Sequence, residues 1–181
     1  MNIKRRHEPQ SGRKDHIRAI PDYPKPGIVF RDITPLLLDA RALDTAVTGL
    51  VDWVRPRDVD LVVAAEARGF ILGGAVARQI GAGFVPARKP GKLPAATLRA
   101  DYALEYGTDT VELHADALGP ACRVLVHDDV LATGGTAAAV CALVAASGAA
   151  LVGVSVVLDI AALAGRTRLP AGVPVEAVLV V

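Results

Sequence analysis

The stretch Val124-Leu125-Val126-His127-Asp128-Asp129-Val130-Leu131-Ala132-Thr133-Gly134-Gly135-Thr136 holds the residues best suited to chemistry. An aliphatic, β-branched run leads into two adjacent carboxylates, then a small glycine-containing turn, then a run of helix formers. That order predicts a buried strand over Arg123–Val126 that carries Asp128 and Asp129 to the carboxyl edge of a parallel sheet. The backbone N–H groups of Ala132, Thr133, Gly134, Gly135 and Thr136 would then meet at a helix N-terminus, a natural cradle for phosphate. Acids beside such a cradle would repel a bare phosphate. They suit a phosphorylated sugar, whose hydroxyls need acceptors while its phosphate needs donors.

The elements that must position these groups follow from hydrophobic spacing. A helix is expected from about Ala40 to Val54, with Leu43, Val47, Leu50, Val51 and Val54 on one face. Strands are expected over Val59–Ala65, Phe84–Pro86, Leu151–Leu158 and Val173–Val181, and helices over Phe70–Ile80 and Thr136–Ser147. Strands separated by helices of this length argue for right-handed βαβ units, hence an α/β fold with a parallel sheet flanked by helices. Before them, Ile17–Ile20 starts an element and Pro21 to Gly27 is extended and turn-rich. Asp32-Ile33-Thr34-Pro35 then reads as a helix start. From Arg88 to Leu118 the pattern breaks into a long polar stretch rich in Lys, Pro, Gly and Tyr, read as a mobile loop.

Bulk properties narrow the class. The chain has 181 residues, 52% of them hydrophobic and 22% charged, enough for one full core and too apolar for global disorder. Twenty basic and nineteen acidic side chains leave a net charge of +1, so no field of one sign points to nucleic acid or an acidic membrane. Residues 1–15, with Lys4-Arg5-Arg6-His7, Pro9, Ser11 and Gly12, are expected to be a mobile polar tail, and residues 16–181 a single domain. Cys122 and Cys141 are too isolated for a metal or disulfide framework and read as reduced, small hydrophobes. No apolar run reaches membrane-spanning length and no signal peptide is recognised, so the expected compartment is the cytoplasm.

Other phosphate motifs are absent. No Gly-x-x-x-x-Gly-Lys-Ser/Thr loop exists, and no Gly-x-Gly-x-x-Gly follows a strand. Three further segments have their own chemistry. Glu66-Ala67-Arg68-Gly69 closes a strand and opens a helix, so its amides and Arg68 suit an anion. Arg88, Lys89 and Lys92 make a dense positive patch around Pro90-Gly91, suited to a lid over a polyanion. Glu105 stands in Leu104-Glu105-Tyr106-Gly107, in the same lid region. With only three Phe, three Tyr and one Trp, an aromatic face for a flat ligand must come from few places, and Phe30 in Ile28-Val29-Phe30-Arg31 is the candidate.

The acid pair with Ala132-Thr133-Gly134-Gly135-Thr136 resembles the ribose-5-phosphate site of type I phosphoribosyltransferases, which use 5-phosphoribosyl-1-pyrophosphate (PRPP). Asp22 to Thr34, Glu66 to Phe70, Arg88 to Pro94 and Leu104 to Thr108 look, in matching order, like the adenine phosphoribosyltransferases, and the likeness runs from about Ile17 to Leu169. This resemblance implies a small N-terminal hood and a lid from Arg88 to Gly107 on the α/β sheet. It implies transfer of the phosphoribosyl group from PRPP to adenine, giving AMP and pyrophosphate, in purine salvage. Asp128 and Asp129 would accept hydrogen bonds from the ribose hydroxyls and Ala132–Thr136 would wrap the 5′-phosphate. The Glu66, Ala67 and Arg68 loop, with a cis peptide at Glu66–Ala67, would meet pyrophosphate. Arg88 and Lys92 would neutralise the leaving group, and Glu105 would assist proton transfer near purine N7. Backbone groups of Val29 and Arg31 would select adenine, with Phe30 and Ile160 on its faces. Mg²⁺ would be held mainly by substrate rather than by protein ligands, and the protein would be a homodimer. A hypoxanthine–guanine or xanthine transferase, or a non-catalytic PRPP- or nucleotide-sensing regulator, are the alternatives. Two departures stand out: His127 where the family has an aliphatic residue, read as a satisfied, partly buried histidine, and Asp159 where the family usually has Glu.

Overall fold

The structure is a computed structural model that describes residues 16–103 and 108–181. The chain divides into two compact units, one up to Ala46 and one from Val47 to Val181. In the first unit, β1 (Arg18–Ile20) pairs antiparallel with β2 (Phe30–Asp32), and α1 spans Thr34–Leu38. Asp32 ties the ribbon to the helix. Its carboxylate accepts bonds from Arg18 Nε (3.1 Å) and from the Thr34 N–H (2.9 Å) and hydroxyl (2.6 Å). These partners hold its pKa down to about 2, the Thr34 hydroxyl contributing most, although burial opposes them. Phe30 meets Tyr23 edge to face, with ring centroids 5.2 Å apart.

Helix α2 covers Ala40–Val54, the span its apolar spacing predicts. It starts there because the Asp39 carboxylate accepts the N–H groups of Arg41 (2.8 Å) and Ala42 (2.9 Å), which no turn of helix could satisfy.

The second unit is built on a five-stranded, wholly parallel sheet: β3 (Leu61–Ala65), β4 (Gly83–Ala87), β7 (Arg123–Leu131), β8 (Ala150–Asp159) and β9 (Val175–Val180), in spatial order β4-β3-β7-β8-β9. Helix α3 (Gly69–Ile80) connects β3 to β4, and α4 (Gly135–Ala146) connects β7 to β8. Val124, Leu125, Val126 and His127 are all buried. Four consecutive buried residues require cover on both faces of a strand, as βαβ crossovers provide.

Two expectations change. The central strand does not stop at Val126 but runs on through both aspartates to Leu131, because β8 pairs with it as far as Leu131 opposite Asp159. The polar stretch after Arg88 is also not an irregular loop throughout. It contains β5 (Thr97–Ala103) and β6 (Thr108–His114), an antiparallel pair in which Leu98 faces Leu113 and Ala100 faces Val111. Leu98, Ala100 and Tyr102 turn inward while Arg99 and Asp101 are exposed, so the pair holds together as a half-buried ribbon. The expected tail, residues 1–15, and Glu105 lie outside the described residues.

Candidate active site

Strands β3 and β7 are neighbours, with Ala64 opposite His127. The loop leaving β3 therefore starts beside the two aspartates of β7. Its Glu66–Ala67 peptide is cis, as the resemblance implies. Gly69 opens α3 where any side chain would crowd Asp128: a Cβ there would lie 3.2 Å from both its Cα and its Oδ1.

Asp129 is buried and Asp128 half-buried. Asp128 Oδ1 accepts the Asp129 N–H at 2.8 Å. Arg68 Nε lies 2.7 Å from Asp129 Oδ2, an ion pair whose acid is nearly enclosed and whose guanidinium is partly exposed. Asp128 is left as the excess acid: burial first, then the adjacent charge of Asp129, raises its pKa well above the usual carboxylate range.

Beyond Leu131 the chain forms a cavity of about 70 Å³ lined by Asp128, Val130 and residues 131–137. Gly134 has φ +82°, a left-handed conformation that lets the turn enter α4. The first helical bond is Ala138 N–H to Gly134 C=O (2.9 Å), so the amides of Gly135, Thr136 and Ala137 have no partner within the helix. The Asp128 carboxylate and these helix-end residues thus line one small hollow, while Asp129 beside it is paired with Arg68. Gly165 packs against the backbone of this turn, and nothing in its local sequence announces that role. A Cβ on Gly134 would stand 2.3 Å from Gly165 O, and one on Gly165 would stand 2.3 Å from Ala132 O.

The basic patch differs from its sequence reading, because its cations are already paired. Glu66 Oε2 accepts Arg88 Nε (3.2 Å) and the Lys89 N–H (2.9 Å), while Oε1 accepts Lys92 Nζ (2.5 Å). Despite burial, these donors hold the Glu66 pKa down to about 2, Lys92 contributing most. Lys89 Nζ instead bonds Asp109 and the Tyr102 hydroxyl. Asp109, Tyr102 and Glu112, whose Oε2 accepts the Gly91 N–H (3.2 Å), are partners that sequence reading missed.

His127 is fully rather than partly buried. One ring nitrogen, Nδ1, lies 2.8 Å from Ser155 Oγ, and burial lowers its pKa to about 4. It is a neutral core residue. Asp159 is also buried and accepts Arg166 Nε at 2.6 Å. Ile160 follows it, half-buried, its N–H donating to Leu131 O (2.9 Å). Val29 is exposed, and Phe30 and Arg31 are half-buried in the first unit.

Known proteins share this fold. The family described as Phosphoribosyl transferase domain matches residues 37–170. The chain belongs to the phosphoribosyltransferase family and, within it, to the adenine phosphoribosyltransferases. An adenine phosphoribosyltransferase of Acidothermus cellulolyticus is 58% identical over 156 residues, which is 86% of this chain and 88% of that protein. The crystal structure of the enzyme of that name from Thermoanaerobacter pseudethanolicus superposes with a TM-score of 0.91 at 44% identity, covering 96% of this chain and all of the other. A Giardia lamblia structure complexed with 9-deazaadenine gives a TM-score of 0.90 at 36% identity, covering 97% and 99%.

Proposed function

We propose that the protein transfers the 5-phosphoribosyl group of PRPP to adenine, giving AMP and pyrophosphate, as a purine-salvage enzyme. The observation that carries this reading is the hollow where Asp128, next to the buried Asp129, adjoins the residues that open α4. The amides of those residues hold the 5′-phosphate, with the positive helix end favouring its charge. The aspartates accept the ribose hydroxyls. Arg68, Arg88 and Lys92 face the diphosphate side, where negative charge grows as the C1′–O bond breaks and its electron pair leaves on pyrophosphate. Adenine N9 then bonds to C1′ from the opposite face and the base loses one proton, a step assigned by resemblance to Glu105. Backbone groups of Val29 and Arg31, the Phe30 ring and Ile160 are the proposed adenine contacts. An N–H donor and a C=O acceptor there discriminate adenine from oxopurines by what each would leave unpaired.

Mg²⁺ is part of the proposal. Among the described residues no group of three or more His, Cys, Asp or Glu could hold a metal, so substrate oxygens and water would supply most ligands, with the crowded acid pair suited to a cation nearby. When bound it would offset diphosphate charge. A homodimer working in the cytoplasm is likewise proposed; no helix among the described residues is long and apolar enough to cross a membrane.

The test is incubation with PRPP, Mg²⁺ and each purine separately, measuring nucleotide formed. AMP from adenine alone supports the reading. Product from hypoxanthine, guanine or xanthine moves it to another purine transferase, and no product with any base leaves a PRPP- or nucleotide-sensing regulator.

A further inference from the structure

The Glu66 side chain stands where an anionic substrate is expected to bind, yet a carboxylate is acceptor-only and repels phosphate oxygens. Its contacts show another use. The Glu66 N–H donates to Ala87 O at 2.9 Å, and Ala65 lies opposite Ala87 across the β3–β4 pair. The loop after β3 and the basic segment after β4 therefore leave the sheet side by side. From that point the carboxylate reaches across and is only 10% exposed. Both of its oxygens are occupied by Arg88, by the Lys89 amide and by Lys92.

Two cations brought this close repel each other unless an anion lies between them. Glu66 supplies that anion and leaves the trio with a surplus of one positive charge. Arg88 and Lys92 remain 34% and 48% exposed, so they keep faces open to a second anion. The segment is pinned from its other side as well. Arg88 and Glu112 exchange backbone hydrogen bonds (2.9 and 2.8 Å), and Lys89 is bound to the β5–β6 ribbon through Asp109 and Tyr102. The three basic residues thus divide their work. Lys89 anchors the segment, whereas Arg88 and Lys92 are gathered around one buried acid.

We propose that Glu66 is a positioning residue that assembles Arg88 and Lys92 into a ready-made cation pair for the diphosphate of PRPP and does not itself touch the diphosphate. This rests on the transferase reading and deepens it. Preassembly means that binding need not gather two mutually repelling side chains, so it acts on diphosphate affinity and leaves the base site alone.

The experiment uses the full-length protein with Glu66→Gln, Glu66→Asp, Lys92→Met and the Glu66→Gln/Lys92→Met double variant. KM for PRPP and for adenine are measured, with pyrophosphate binding followed separately by calorimetry. Glu66→Gln is expected to raise KM for PRPP and weaken pyrophosphate about tenfold, the scale of one charged hydrogen bond, with KM for adenine unchanged. Glu66→Asp keeps the charge and should recover part of the loss. The double variant should be no worse than its weaker-binding parent, since Glu66 acts through the cation already removed. Unchanged or tighter pyrophosphate binding in Glu66→Gln would overturn the proposal, because Glu66 would then be idle or a competitor. So would strictly additive losses, or an equal fall in adenine affinity, which would mark general damage. Calorimetry reads this effect even if the protein turns over no purine, so failure here and failure of the transferase reading are distinguishable.

Discussion

Glu66, just after β3, and Asp128, on the neighbouring strand β7, are both partly withdrawn from water, yet they titrate in opposite directions. Burial opposes ionisation at each. At Glu66 three donors from Arg88, Lys89 and Lys92 overcome it and the pKa falls to about 2. At Asp128 the nearest group is another acid, Asp129, and the single cation Arg68 pairs with that neighbour, so the pKa rises. Position on the sheet edge does not decide charge; the ratio of donors to acids does. The β3 end is thereby a settled ionic cluster, whereas the β7 end holds two adjacent acids, one of them paired with Arg68. A ligand bringing hydroxyls and a companion cation would suit that acid pair.

The largest effect should come from the unsettled end. Asp129→Asn and Asp128→Asn are each expected to lower kcat/KM for PRPP by at least about 100-fold, read by AMP formation with the fold verified by circular dichroism. Near-normal turnover in either would break the contrast. The same Asp128→Asn should also be more stable than the parent. A raised pKa means that Asp128 stabilises the fold below its unfolded value near 3.8 and loses that contribution as pH rises through its folded value. Melting at pH 5 and pH 8 should show the larger gain for the variant at pH 8.

Next in size is the turn that completes the hollow. Gly134→Ala and Gly165→Ala each force a Cβ to 2.3 Å from a carbonyl oxygen of the facing segment. Each should cost about 2–4 kcal/mol, seen as a lower melting temperature, and weaken AMP more than adenine in binding assays. Equal weakening of both ligands would mean that the contact does not serve the phosphate specifically.

A smaller and pH-bounded effect is expected at the settled end. Glu66 has a folded pKa of about 2 against a model-compound value of 4.5, so its contribution is complete above 4.5 and disappears as pH falls through 2. The melting temperature of Glu66→Gln should trail the parent above pH 4.5, and the gap should close toward pH 2. A gap constant across that range would show that packing rather than charge sets the difference.

The smallest effect concerns His127, buried on β7 with only Ser155 beside its Nδ1. Its pKa of about 4 lies below the ordinary 6.5, so the unfolded chain takes up a proton first and stability falls as pH drops from 6.5 to 4. His127→Leu with Ser155→Ala removes both partners of the bond. The double variant should flatten the melting profile in that window while PRPP turnover persists; loss of turnover would give the histidine a role beyond the core.

Much of the positioning framework is legible in the residues. The spacing of Val47, Leu50, Val51 and Val54 marks α2. The acid pair and Ala132–Thr136 mark a strand-to-helix corner. The β5–β6 ribbon was also written there, in the alternation Leu98-Arg99-Ala100-Asp101-Tyr102, but charged residues and nearby prolines outweighed a half-buried pattern only five residues long. The extension of β7 through Asp128 and Asp129 had no such signal. Carboxylates are poor strand formers alone, and only pairing with β8 makes them strand.

The corner from Val124 to Thr136 was set by local chain order, since strand, acids, glycine turn and helix are consecutive and any βαβ unit brings them together. The charge state of that corner was left to the tertiary structure. Arg88 and Lys92 lie 22 and 26 residues from Glu66, and Gly165 lies far along the chain from Gly134. Which cation meets which acid, and which backbone packs against the Gly134 turn, depends on neighbours in space. Electrostatic energies follow distances in space, and separations along the chain do not fix those distances.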